Sequence, residues 1–272
     1  IDRSLRLILR PNLSLTLTSI SGSTGVRRKG GTLATYVLVH GGGHGGWCYD
    51  KVTRLLRAAG HEVYAPTLTG LGERAHLISP STDLDTHIRD VHHVLHFQDL
   101  RDVILVGHSY GGMVITGVAD RAYDRIGKLV YLDAANPRNG QSLVDVAGPM
   151  MNAARSLGRV IDGVEVILCP DEPGSGQFYG VTDPADLAWM DERLSPHPWK
   201  SIEQRLDLKN EDELWAIPQF HIVCTSTLIT RGADLVERAR AEGRLWDIDT
   251  GHDLMITEPQ AVADALIEIS TR

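Results

Sequence analysis

From Leu33 onward, short apolar runs alternate with amphipathic stretches, and the two have different periods. Ala34 to Val39, Glu62 to Pro66, Val103 to Val106, Ile126 to Asp133, Gln219 to Thr225 and Arg244 to Ile248 are brief runs rich in Val, Ile, Leu and Tyr. Runs of this length, apolar at nearly every position and bounded by turn residues, predict strands covered on both faces of a parallel sheet. Between them the spacing turns helical. Val52, Leu55, Leu56 and Ala59 precede a stop at Gly60, Asp85 to Phe97 follows, and Met113, Val114, Ile115 and Val118 come next. Ala233 to Ala241 and Pro259 to Ile269 complete the set. Such alternation predicts an α/β fold with right-handed crossovers and helices on both faces of the sheet.

The alternation stops between about Pro137 and Pro218, a section rich in Pro, Gly and acidic residues. Helices are predicted there only over Pro184–Leu194 and Ser201–Leu206. An insertion of this size suits a helical lid over the active edge of the sheet. Thr67 to Pro80 reads as a Gly-containing loop. Residues 1–32 differ again: Arg3, Arg6, Arg10, Arg27, Arg28 and Lys29 oppose the single acid Asp2 among many Ser, Thr and Gly. The expectation is a disordered extension from upstream read-through or cloning, because its apolar stretches are short and no small-residue cleavage site follows them. The folded domain is then 33–272, with the lid at about 137–218.

Composition narrows the partners. A net charge of −8 opposes a nucleic-acid or anionic-membrane surface as the main partner. No apolar run reaches the roughly 18 residues of a membrane span. The three cysteines Cys48, Cys169 and Cys224 are far apart and form no C-x-x-C pair, which suggests reduced thiols in a cytoplasmic setting.

The chemistry centres on Gly107-His108-Ser109-Tyr110-Gly111, directly after the Val103 run. A strand, G-x-S-x-G and then a helix form a nucleophile elbow, whose small residues permit a sharp turn that lifts the serine hydroxyl above the sheet edge. His40-Gly41-Gly42-Gly43-His44-Gly45-Gly46, after the first strand, also fits G-x-G-x-x-G. A dinucleotide site needs an acid about 20 residues on, at the tip of the next strand, and that strand ends in Pro66-Thr67 instead. No Gly-Lys-Ser/Thr follows either. The loop is better read as a backbone N–H donor to an oxyanion, with the Tyr110 N–H as the second donor.

Of the twelve histidines, His252 lies in a loop between the last strand and the final helix, where a Ser, acid, His chain order puts the base. His92 and His96 share a helix face but lack H-E-x-x-H, so a solvated face is the simpler reading and no metal is expected. His108 is expected to pack or hydrogen-bond, and His44 has no informative context. Two acids compete. Asp133 ends an apolar strand at the edge where Ser109 and the His252 loop emerge, although a turn-capping role explains it too. Asp234 lies in the first turn of a helix, where it suits the helix dipole. Asp249 and Asp253 are too near His252 in sequence to orient its far nitrogen. Asp133 is preferred.

With these motifs in hand, V-L-V-H-G-G-G-H-G-G-W (37–47), A-A-G-H-E-V (58–63), V-I-L-V-G-H-S-Y-G-G-M (103–113) and G-H-D (251–253) resemble the α/β-hydrolase superfamily. Within it the likeness is to plant methyl-ester esterases, hydroxynitrile lyases and bacterial pyrethroid and carboxylesterases. It covers about 33–270 and is weak through the lid. The resemblance implies Ser109 as nucleophile, His252 as base, and the N–H groups of Gly42 and Tyr110 as oxyanion hole. The plant enzymes' acid position matches Thr227 here. Haloalkane dehalogenases carry an acid after the strand following the elbow, in a Tyr-x-Glu-Ala context similar to Tyr131-Leu132-Asp133-Ala134. Their Asp nucleophile is Ser109 here, and the Lys and Thr of hydroxynitrile lyases are Asp253 and Gly42. Neither activity is implied.

The expected protein is a cofactor-free serine esterase with Ser109, Asp133 and His252 as its triad. Its partner is a small-molecule ester or lactone, with a homodimer allowed. A lactonase on the same triad and a non-catalytic binder of the same fold are the alternatives.

Overall fold

A computed structural model describes residues 33–170, 174–228 and 232–272. The expectation for 1–32 lies outside the described residues. Nine strands are found among them: β1 Thr35–Val39, β2 Glu62–Tyr64, β3 Val103–His108, β4 Ile126–Leu132, β5 Arg159–Ile161, β6 Val164–Ile167, β7 His197–Pro198, β8 Gln219–Cys224 and β9 Leu245–Ile248. Six of these form one sheet in the order β2-β1-β3-β4-β8-β9, parallel throughout, and β5-β6-β7 form a small antiparallel sheet.

Strand residues alternate between two cores. Val37, Val39, Leu105, Leu129 and Tyr131 face one core with Ile88, Val91 and Leu95 of the helix Leu84–Phe97. Tyr36, Leu38, Ile104, Val106 and Val130 face the other, with Val52 and Leu56 of Asp50–Ala58 and Leu266 of Pro259–Ser270. Both faces are therefore dry, which is why the strands read as continuous apolar runs. Each fully buried side chain of this kind is worth about 1.5–3 kcal/mol, so the central strands anchor the positions of their tips.

The predicted elements of the sheet domain form with ends shifted by a residue or two. The helix expected from Asp85 starts at Leu84 because Asp83 caps it, accepting the Thr86 N–H at 2.9 Å in a capping box. The loop Thr67–Pro80 contains a short 3-10 helix, Gly72–Leu77.

The inserted section 137–218 holds more structure than its composition suggests. Helices Pro184–Asp191 and Trp199–Glu203 form where helices were expected, the first ending at Asp191 instead of Leu194 and the second running from Trp199 to Glu203 instead of from Ser201 to Leu206. Unforeseen are the helix Leu143–Ser156, opened by a Ser142/Asp145 capping box and kinked at Ala147, the helix Glu211–Ala216, and the β5–β6 hairpin. That hairpin turns on Asp162 and Gly163, with φ of 49° and 80°. Asp-Gly at two left-handed positions is what a two-residue hairpin turn demands.

Candidate active site

β3 ends at His108, and Ser109 then adopts φ 52°, a left-handed conformation that costs a non-glycine residue energy. The turn is possible only because its flanking residues are glycines: a Cβ on Gly107 would lie 2.6 Å from the Gly111 carbonyl oxygen, and one on Gly111 would lie 2.6 Å from that of Val39. Helix Gly111–Ala122 starts directly afterwards. Register pairs His108 with Leu132, so Ser109 and Asp133 are the next residues on neighbouring strands. Asp133 has φ 42°, so both strand tips turn the same way.

Asp133 and His252 meet. Asp133 is wholly buried, while the His252 side chain is 27% exposed, and Nδ1–H donates to Asp133 Oδ2 at 2.5 Å. The Asp133 carboxylate also accepts from the Cys224 N–H at 3.4 Å, from the Cys224 thiol at 3.4 Å and from the Thr227 hydroxyl. Thr227, the position matched to the usual acid, thus supports the carboxylate that reaches His252 from the next strand. Asp234 is exposed in the first turn of Ala233–Ala241. No hydrogen bond joins Ser109 Oγ to His252 among the described residues; such bonds commonly shorten only when substrate is bound. A carboxylate on one ring nitrogen fixes the tautomer and leaves the other as a proton acceptor, the arrangement that activates a nearby hydroxyl.

The glycine loop packs directly on the elbow. A Cβ on Gly41 would meet His108 Nδ1 and Ser109 Cβ, each at 2.8 Å. Contacts from the inserted section hold the next two residues: Tyr179 Oη donates to the Gly42 carbonyl at 3.2 Å, Ser195 N–H to the Gly43 carbonyl at 2.9 Å, and the Gly43 N–H donates to His197 Nδ1 at 3.3 Å. The N–H groups of Gly42 and Tyr110 have no protein acceptor among the described residues, which leaves them available to a ligand oxygen. The inserted section also reaches the His252 loop, where the Asp253 N–H donates to the Tyr179 carbonyl at 3.0 Å.

Several histidines near the site are buried and neutral. Burial pushes His40 down to about 3, His87 to about 4 and His108 to about 3, and it takes His197 well below its ordinary value. Each has a structural partner: His40 Nε2 accepts the Leu68 N–H at 3.0 Å, His87 Nδ1 accepts from the Tyr110 hydroxyl at 2.7 Å, and His108 Nε2–H donates to the His252 carbonyl at 3.0 Å. His44 differs, because it faces the buried Asp253 carboxylate at 2.8 Å. Sequence reasoning missed this pair. Its members lie far apart in the chain, and the only signal was a histidine within the glycine loop.

His92 and His96 stack with ring centroids 6.4 Å apart on their helix. Of the aromatic and sulfur side chains in the inserted section, Trp199 is core, Trp189 packs edge-on against Trp47, Trp215 lies beneath Arg138, and Phe178 and Met150 are exposed. Among the described residues no helix is long and apolar enough to cross a membrane.

Residues 36–265 match a family model described as alpha/beta hydrolase family. A carbendazim hydrolyzing esterase from Nocardioides sp. is 59% identical over 112 residues, 41% of this chain and 46% of that protein. A putative chloroplastic methylesterase 15 from Arabidopsis thaliana is 27% identical over 263 residues, 89% of this chain and 58% of that protein. The chain thus spans about half the length of these two relatives. A solved extracellular alpha/beta-hydrolase from a Paenibacillus species is similar at a TM-score of 0.70 and 26% identity, covering 86% of this chain and 98% of the other.

Proposed function

Because this chain belongs to the alpha/beta hydrolase family, we propose that it is a serine hydrolase cleaving carboxylic esters of small, mostly apolar substrates through an acyl-enzyme. Ser109 is the nucleophile, His252 the base, Asp133 the acid that orients it, and the N–H groups of Gly42 and Tyr110 the oxyanion hole. The observation that carries this reading is the 2.5 Å contact of His252 Nδ1 with Asp133, one register step from Ser109. Relatives named as esterases add support.

In the reaction, His252 Nε2 accepts the Ser109 proton as Oγ bonds to the ester carbonyl carbon. The carbonyl oxygen takes the electron pair and sits between the two N–H donors, while Asp133 stabilises the imidazolium. Collapse breaks the bond to the alcohol oxygen, which leaves with the proton from His252. Water then gives its proton to His252, adds to the acyl carbon, and the acid departs as Ser109 recovers its proton. Ester and water become acid and alcohol, so no cofactor enters the balance. The inserted section serves as a lid in this reading, a role supported by its bonds to Gly42 and Gly43.

The test is product formation from aryl, methyl and pyrethroid esters, carbendazim and lactones, with a Ser109→Ala control. Ester turnover that falls about 10³-fold or more in the variant supports the proposal. Retained ester turnover in Ser109→Ala refutes it. Turnover of lactones alone reassigns the substrate, and an inert protein that also resists a fluorophosphonate is a binder of the same fold.

A further inference from the structure

His44 is fully buried in the glycine loop, and both of its ring nitrogens face acceptors. Nδ1 lies 2.7 Å from the Gly42 carbonyl oxygen and Nε2 lies 2.8 Å from Asp253 Oδ2. With Asp253 ionised, only a ring carrying a proton on each nitrogen satisfies both. Burial alone would push His44 down and Asp253 up. The attraction between them outweighs it, with His44 above its ordinary value and Asp253 below the usual carboxylate range. A buried ion pair is a poor source of net stability, since desolvation offsets most of the attraction. Its location suggests another role.

Asp253 directly follows His252. Its second oxygen, Oδ1, makes no hydrogen bond among the described residues; His108 Nε2, 3.6 Å away, donates to the His252 carbonyl instead. Through His44, the same carboxylate reaches the Gly42 carbonyl. Covalently next to His252 and bonded through His44 to the Gly42 carbonyl, this one side chain joins the backbone on either side of the proposed reaction centre. The Gly42 carbonyl belongs to the Gly42–Gly43 peptide, and the Gly41 carbonyl, coplanar with the Gly42 N–H, is held by His40 Nδ1 at 2.9 Å; with both carbonyls held, the two peptide planes that meet at Gly42 are fixed, and with them the direction of the Gly42 N–H.

We propose that His44 and Asp253 are positioning residues: their pair holds the oxyanion loop at a set orientation relative to the loop of the base. The inference rests on reading Gly42 as an oxyanion donor. A misdirected donor is felt where negative charge develops, so the transition state loses more than the bound ester does.

The experiment measures kcat and KM on an aryl ester for His44→Ala, Asp253→Ala and Asp253→Asn, beside Ser109→Ala. His44→Ala and Asp253→Ala should each lose about ten- to hundredfold in kcat, with KM within about twofold. Asp253→Asn should recover most of the loss. Its amide can donate to His44 Nε2 while Nδ1–H still donates to Gly42, which keeps both bonds with a neutral ring. A trifluoromethyl ketone, which forms a tetrahedral oxyanion, should weaken in parallel with kcat across the series, and the product acid should not.

Wild-type kcat in His44→Ala, losses confined to KM, or an Asn variant as poor as the Ala variant would each overturn the inference. If His44→Ala fails to fold, ¹⁵N-histidine spectra of the wild type and Asp253→Asn decide. One doubly protonated ring persisting to higher pH than the others, and lost in Asp253→Asn, supports the pair; its absence from the wild type refutes it. Failure of the underlying function reads differently, as ester turnover that survives Ser109→Ala.

Discussion

Two buried aspartates each hold a histidine at this site, and the two corners differ in what faces the second ring nitrogen. Asp133 engages His252 through Nδ1, and Nε2 has no hydrogen-bond partner among the described residues in a side chain that is 27% exposed. Asp253 engages His44 through Nε2, and the Gly42 carbonyl occupies Nδ1 in a ring with no exposure. The chemical units are the same, but only His252 has a nitrogen left to exchange a proton with a substrate. His44 has both nitrogens committed, so it can hold geometry and cannot shuttle protons. In the proposed mechanism the second nitrogen, more than the carboxylate, separates the base from the brace.

The largest expected effect breaks the first corner. Asp133→Asn should lower kcat by about 10³–10⁴-fold, because an amide in place of the carboxylate favours the wrong tautomer of His252. Asp234→Asn, altering an exposed residue in the first turn of its helix, should leave kcat near wild type. Steady-state kinetics on one aryl ester checks both, and the reverse ranking would return the acid to the β8 side.

The two corners also differ in how far sequence reveals them. Ser109 was legible because Gly107 and Gly111 mark a turn whose sterics are local. Asp133 was legible because a carboxylate ending an apolar strand stands out, although its left-handed backbone and its support from Thr227 were not. The His44–Asp253 pair joins positions 209 residues apart, and neither residue carries a local signature. Asp253 was set aside as too near His252 to orient it, and its actual partner lies in the glycine loop. The inserted section was hardest for the same reason: Tyr179, Ser195 and His197 gain meaning only from the loop they touch. Its local signals, such as the Ser142/Asp145 capping box and the Asp162-Gly163 turn, mark single elements and not the contacts those elements make.

A smaller effect sharpens the comparison through pH. Asp253 titrates below its unfolded value, so its stabilising share is present above about pH 4 and is lost as pH falls through the lowered folded value. His44 titrates above its unfolded value, so its share is full below about pH 6.5 and is lost as pH rises through the raised one. The difference in Tm between wild type and Asp253→Asn should therefore be widest between about pH 4 and 6.5 and narrow on either side. Thermal unfolding across pH measures it, and a difference that does not vary with pH would mean the pair is not ionic.

The most direct measurement is acid quenching of the enzyme during turnover of an aryl ester, followed by mass spectrometry of its peptides. One acyl group is expected on the peptide containing Ser109, accumulating before steady state and absent in Ser109→Ala. Steady ester hydrolysis with that peptide unmodified, and with Ser109→Ala equally active, would contradict the proposed acyl-enzyme.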